Sequence, residues 1–137
     1  MIYKKTQDYI RIAAKVREQA YAPYSKYKVG ACIVTESGET FSGCNVENAS
    51  YGGTVCAERV ALYKAVSEGF RSFKTIIIVT QEKEKNQKGA PCGICRQVLY
   101  EFAPEIKIIV SDPKENVRTY SMKDILPHAF GPKNLNS

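Results

Sequence analysis

Lys74-Thr75-Ile76-Ile77-Ile78-Val79-Thr80 decides the architecture of this chain. A strand with one wet face alternates apolar and polar residues, whereas Ile76-Ile77-Ile78-Val79 leaves neither face suited to water, which predicts a central strand covered on both sides. A charged loop follows, then a helical pattern from Gly93 to about Phe102 that Pro104 terminates. Ile106 to Val110 repeats the buried-strand pattern. Strand, helix and strand in that order imply parallel neighbours joined by a right-handed crossover.

Upstream, Val29 to Thr35 and Thr40 to Val46 flank Glu36-Ser37-Gly38-Glu39 and read as two antiparallel strands around a tight turn. Thr6 to Ala20 places Tyr9, Ile10, Ala13, Val16 and Ala20 at helical spacing, with Thr6 as N-cap and Ala22-Pro23-Tyr24-Ser25 as terminator. After Gly52-Gly53, a helix is expected from about Val55 to Glu68, with Gly69 closing it. Val117 to Tyr120 suits a short edge strand, and Ser121-Met122-Lys123-Asp124 starts a final short helix reaching Leu126 before Pro127. The expected fold is α/β, a sheet with helices on both faces.

With 137 residues the chain is expected to form a single domain, residues 1–137. Its 44% hydrophobic and 25% charged residues exclude a disordered or low-complexity chain. No stretch approaches the roughly 20 apolar residues that span a bilayer. Met1-Ile2-Tyr3-Lys4-Lys5 lacks the apolar run of a signal peptide, so the expectation is cytoplasmic with no membrane partner. The formal charge of +6 admits a nucleic-acid partner, but Lys83, Lys85 and Lys88 alternate with Glu82, Glu84, Asn86 and Gln87. That pattern reads as a solvated loop rather than a stripe tracking phosphates, and no stable nucleic-acid partner is expected. Five cysteines, an odd number, argue against a disulfide framework and for a metal.

Cys92 and Cys95 stand in C-x-x-C spacing at one expected helix start, just after Pro91, and Cys56 stands at another. A helix N-terminus presents unpaired N–H groups and positive dipole, which favour thiolate over thiol. Three thiolates aimed at one point would hold zinc and leave its fourth position open, the arrangement of a catalytic site. Two alternatives are a redox dithiol and a structural zinc with a fourth protein ligand. Against the second, the lone histidine, His128, lies near the C-terminus, and Cys32 and Cys44 lie in expected strands, where they read as small apolar residues. One histidine also excludes H-E-x-x-H chemistry.

Glu58 follows Cys56 by two residues, an awkward offset for sharing a metal but suited to handling protons over the vacant position; its bland alternative is an acidic residue favoured in a first helical turn. Zinc(II) with three thiolates carries net −1, which opposes activation of water unless charge is drawn off. Arg59 and Arg96 each adjoin a site segment and could donate to the sulfurs, the alternative being two solvent-facing arginines.

Tyr21-Ala22-Pro23-Tyr24-Ser25, Val29-Gly30-Ala31, Gly43-Cys44-Asn45-Val46-Glu47-Asn48-Ala49, Cys56-Ala57-Glu58-Arg59, Pro91-Cys92-Gly93-Ile94-Cys95-Arg96-Gln97 and Leu126-Pro127-His128-Ala129-Phe130, in that order, resemble cytidine deaminase of the small homotetrameric three-cysteine type. The resemblance implies a three-layer α/β/α deaminase fold with a mixed five-stranded sheet. It implies one zinc per subunit on Cys56, Cys92 and Cys95, with Glu58 shuttling protons. It also implies Asn45 and Glu47 on the ribose hydroxyls, for which an amide and a carboxylate serve as donor and acceptor. It implies an aromatic residue packed near base and sugar, at Tyr27 here where phenylalanine is usual, and backbone groups around Ala57 and Cys92 are expected to orient the exocyclic amine. Tyr51 and Phe130 match positions at sites shared between subunits of a homotetramer. The implied reaction is hydrolysis of cytidine and 2′-deoxycytidine to the uridine nucleosides and ammonia, in pyrimidine salvage. Rival readings are a deaminase of cytosine in single-stranded nucleic acid, an aminohydrolase of a cytosine-containing antibiotic, and a zinc-stabilised interaction domain.

Overall fold

Ile76, Ile77, Ile78 and Val79 are each no more than 1% exposed, as their unbroken apolarity demands. They belong to β3 (Phe73–Val79). In the computed structural model, which describes residues 2–81, 89–112 and 116–136, β3 lies at the centre of a sheet of five strands among the described residues. The others are β1 (Gly30–Thr35), β2 (Thr40–Cys44), β4 (Lys107–Ser111) and β5 (Val117–Ser121), and the spatial order is β2-β1-β3-β4-β5. Only the β3–β4 pair among these neighbours is parallel, with Ile76 opposite Ile108 and Ile78 opposite Val110. The expected hairpin is β1–β2, in which Cys32 faces Ser42 and Gly30 faces Cys44, so the two cysteines are not partners.

Strand parity divides the core into two. Ala31, Ile33, Ile76, Ile78, Ile108 and Val110 point toward α2 (Ala57–Ser67) and α3 (Gly93–Phe102). Cys32, Val34, Ile77, Val79 and Ile109 point the other way, onto Ile10 and Ala13 of α1 (Ile2–Arg17). The result is three layers, α1, sheet, then α2 with α3, around a mixed five-stranded sheet.

On α2, Ala57, Ala61 and Ala65 recur every fourth residue and are fully buried, giving the helix a smooth stripe that lies close to the sheet. Gly43 of β2 completes this seam. A Cβ there would stand 2.5 Å from the Ala61 nitrogen and 2.8 Å from the Ala57 oxygen, which no side chain can occupy. The first turn of α2, with Cys56 at its cap and Glu58 within it, is thereby seated directly against β2.

Several boundaries differ from expectation. The first helix begins at Ile2, placing Thr6 inside it, because no glycine or proline between them stops the helix. The second starts at Ala57 rather than Val55, because Val55 exchanges two backbone hydrogen bonds with Val46, each of 2.9 Å. That exchange also ends β2 at Cys44. Gly69, at φ +99°, follows the last turn of α2 as expected. The short helix capped by Ser121, α4 (Met122–Ile125), is present, but α5 (Pro132–Leu135) follows it, with proline at its start. The basic loop with Lys83, Lys85 and Lys88 lies outside the described residues.

Candidate active site

Cys56 is the N-cap of α2 and Cys92 the N-cap of α3, both in extended conformation. Their carbonyls accept the first helical bonds, from the Val60 amide at 3.1 Å and the Arg96 amide at 3.0 Å. Neither side chain caps its own helix, so both sulfurs are turned toward one another across the gap between the helices. Cys95, one turn into α3, completes a group whose sulfurs all lie within 4.8 Å of each other. The Cys56 and Cys92 sulfurs are 3.8 Å apart. Two sulfurs each about 2.3 Å from one ion, at a tetrahedral angle, stand about 3.8 Å apart, so this spacing fits zinc. Among the described residues no histidine, cysteine or carboxylate joins as a fourth member. Cys32, Cys44 and His128 all lie outside the group, which disfavours a closed structural site.

The electrostatics suit a metal held by thiolates. Cys56 is brought down to about 5, chiefly by a hydrogen bond from the Cys95 thiol and, against the opposing effect of burial, by Arg59. Cys95 moves up because it keeps the proton it shares with Cys56 and is buried. Arg59 Nη2 lies 3.7 Å from the Cys56 sulfur and 3.4 Å from the Thr54 carbonyl. Burial works against its charge, but the neighbouring thiolates outweigh that and hold the cation more firmly. Arg59 Nε is buried with no hydrogen-bond partner among the described residues, an orphaned donor directed by the same guanidinium that faces the sulfurs. Charge compensation by Arg59 therefore has a geometric basis.

Arg96 behaves differently from expectation. Its Nε donates to the Pro91 carbonyl at 2.7 Å and its Nη1 to the Ile125 carbonyl at 2.8 Å, rather than to sulfur. Two carbonyl oxygens within reach on opposite edges of the guanidinium satisfy it better than a sulfur acceptor.

Glu58 stands in the first turn of α2 and is only 5% exposed. Burial pushes its carboxyl up to about 7, with the Cys56 charge adding to the rise and its own amide and the Cys95 thiol opposing it. A carboxyl poised near neutrality can both take and give a proton.

Glu58 lines a cavity of about 260 Å³ together with Cys56, Ala57 and Cys92. Tyr27, Asn45 and Glu47 line the same cavity, so seven of the residues singled out in the sequence meet there. Asn45 is also a structural clamp: its Oδ1 accepts from the Val29 amide and its Nδ2 donates to the Tyr27 carbonyl, each at 2.8 Å. Glu47 accepts from the Ser25 hydroxyl and from the Tyr24 and Ser25 amides at 3.0 and 3.1 Å. The Ser25 hydroxyl leads in holding this carboxyl below its usual range, so it is ionised at neutral pH. Tyr51 and Phe130 are not in the cavity wall; they are 76% and 54% exposed, with the Tyr51 ring edge-on to Tyr24 at 5.9 Å. The sequence did not point to Ser25, Thr54, Ile78, Thr80 or Ala90 as cavity residues. Strand parity could have found Ile78, which shares the α2-facing side of β3 with Ile76, and Thr80, which follows the strand in the same phase.

Residues 3–111 match the family model described as the cytidine and deoxycytidylate deaminase zinc-binding region. The chain is 42% identical over 123 residues to a cytidine deaminase of Sporosarcina psychrophila, covering 89% of this chain and 88% of that one. It is 41% identical over 128 residues to a cytidine deaminase of Halalkalibacterium halodurans, covering 93% and 95%. Among solved structures, a cytidine deaminase from Burkholderia pseudomallei superposes with a TM-score of 0.85 at 46% identity, over 90% of this chain and 98% of that one. Fold, cysteine triad and sequence agree, and the chain belongs to the cytidine and deoxycytidylate deaminase zinc-binding family.

Proposed function

We propose that this protein is a zinc-dependent cytidine deaminase that hydrolyses cytidine and 2′-deoxycytidine to the uridine nucleosides and ammonia. The observation that carries this is one cavity joining sulfurs at zinc spacing, a buried proton-transfer carboxyl and the Asn45–Glu47 pair. Zinc on Cys56, Cys92 and Cys95 would supply the Lewis acidity that makes water a nucleophile near neutral pH.

Glu58 takes the proton from the attacking water and delivers it to N3 of the base so that C4 becomes electrophilic; it then takes the proton of the hydroxyl added at C4 and passes it to the amine, which leaves as ammonia as the C4 carbonyl forms. Its position near neutrality suits both directions of transfer. Arg59 draws charge from the Cys56 sulfur and so limits the electron donation of three thiolates. The Ala57 amide is one of the first-turn donors without a helical partner. An N–H cannot accept from an amine, so its complement is the base carbonyl rather than the exocyclic amine. Asn45 keeps one N–H and one lone pair after its backbone bonds, and Glu47 remains an acceptor, which suits adjacent ribose hydroxyls. Tyr27 borders the cavity where base and sugar would meet.

The exposure of Tyr51 and Phe130 supports a homotetramer in which neighbouring subunits complete each other's sites. Among the described residues no helix is long and apolar enough to cross a membrane, in keeping with a cytoplasmic salvage enzyme acting as a single domain.

The test is turnover of free cytidine against a cytosine-containing oligonucleotide, with Glu58→Gln alongside. Activity on cytidine that Glu58→Gln abolishes while zinc is retained supports the proposal. Activity confined to the oligonucleotide would favour the nucleic-acid deaminase, and activity confined to cytosine-containing antibiotics in a substrate panel the antibiotic aminohydrolase. Zinc without any turnover would favour the interaction domain.

A further inference from the structure

The two residues after Cys95 fasten a distant part of the chain to the metal-ligand helix. Arg96 bonds the Ile125 carbonyl, and Gln97 Nε2 donates to the Phe130 carbonyl at 2.8 Å. One turn further along α3, the Tyr100 ring packs so tightly on Gly131 that a Cβ there would lie 2.4 Å from Cε2. Residues 125–131 thus form a strap along α3. Of its three anchors only Arg96 also reaches the metal segment, through the carbonyl of Pro91, the residue before Cys92.

Cys92 is the ligand that most needs such support. Cys95 is fully buried and fixed by packing, and Cys56 is held by Arg59 and by the Val46–Val55 exchange next to it. Cys92 is exposed, so the direction of its sulfur depends on the Pro91–Cys92 peptide behind it. A guanidinium can donate from separate edges to two carbonyls at once, while an ammonium is a point charge on a flexible stem.

We infer that Arg96 is a positioning residue for the zinc site, bracing the Pro91–Cys92 peptide against the 125–131 strap and so fixing the Cys92 sulfur. This rests on the three-cysteine zinc reading proposed above. The experiment measures zinc release from the loaded protein into excess chromogenic chelator, and the thiolate-to-metal absorption of the cobalt-substituted protein. Wild type, Arg96→Gln, Arg96→Lys and Gln97→Leu are compared. Loss of an outer partner of a metal ligand typically changes metal affinity by about 10–100-fold. Arg96→Gln is expected to release zinc about 10-fold faster and to alter the cobalt band, with Arg96→Lys intermediate. Gln97→Leu, which removes only the Phe130 anchor and leaves both Arg96 bonds in place, should match wild type in both. Release from Arg96→Gln within twofold of wild type would overturn the inference, as would equal acceleration by Gln97→Leu. If Arg96→Gln does not fold, Arg96→Lys is judged by the same limits. A wild-type protein that takes up no zinc would overturn the three-cysteine reading as well, whereas the preceding outcomes overturn this inference alone.

Discussion

Replacing Gly43 by alanine would drive a methyl group into the seam between β2 and α2. The added Cβ would stand 2.5 Å from the Ala61 nitrogen, 2.8 Å from the Ala57 oxygen and 2.9 Å from the Val60 Cβ. Two of these are helix backbone atoms, so no side chain can swing away, and α2 must retreat by about 1 Å to regain ordinary contact. Overpacking of this kind costs about 1–3 kcal/mol. The helix that retreats carries Glu58 in its first turn and Cys56 at its cap. Misplacing a reacting group by about 1 Å costs on the order of 10²-fold in rate. Urea denaturation of the zinc-saturated protein and steady-state cytidine kinetics should therefore show both losses together, with zinc still bound. Gly52→Ala is the control, since nothing lies within 4 Å of a Cβ there. If Gly43→Ala lost stability but kept kcat/KM within twofold of wild type, the seat of α2 on β2 would not be what sets the site geometry.

Glu58→Gln should keep the zinc content of the wild type while ammonia release falls by about 10²–10⁴-fold, the usual worth of a positioned proton-transfer group. Arg59→Gln removes a hydrogen bond to a charged sulfur worth about 1.5–3 kcal/mol, and kcat should fall by about 10–100-fold; an unchanged kcat would deny Arg59 its charge-compensating role. In the zinc-free protein Glu58 rises from 4.5 to about 7, so its neutral form is favoured on folding. That contribution is fully present below pH 4.5 and is lost as pH rises through 7, amounting to about 3 kcal/mol. Cys56, lowered from 9 to about 5, acts in the opposite sense, adding stability above pH 9 that is lost as pH falls through 5. Comparing urea midpoints of zinc-free wild type and Glu58→Gln at pH 5 and pH 8 isolates the glutamate, and the variant should gain relative to wild type at the higher pH.

What the sequence revealed was local, and what it hid was long-range. The Ile76–Val79 run could be placed at the sheet centre because double burial needs no partner to be recognised. Cys92 and Cys95 share one helical turn, and the orientation of Glu58 follows from its offset to Cys56. By contrast, Arg96 spends its donors on Pro91 and on Ile125, the latter 29 residues away, and no spacing rule foretells that choice. The backbone clamp made by Asn45 is equally hidden, because Tyr27 and Val29 precede it by 18 and 16 residues. Val55 drops out of α2 for the same kind of reason, its amide and carbonyl both being claimed by Val46. Tyr51 and Phe130 were singled out only by resemblance, since exposed aromatics leave no periodic trace.

The most direct test of the zinc-dependent deaminase is a titration. Metal-free protein receives increasing zinc, and zinc bound and uridine formed from cytidine are measured in the same samples. Turnover should rise linearly with occupancy and stop rising at one zinc per chain, with ammonia equal to uridine throughout. Full turnover in the metal-free protein, or full occupancy without turnover, would contradict it.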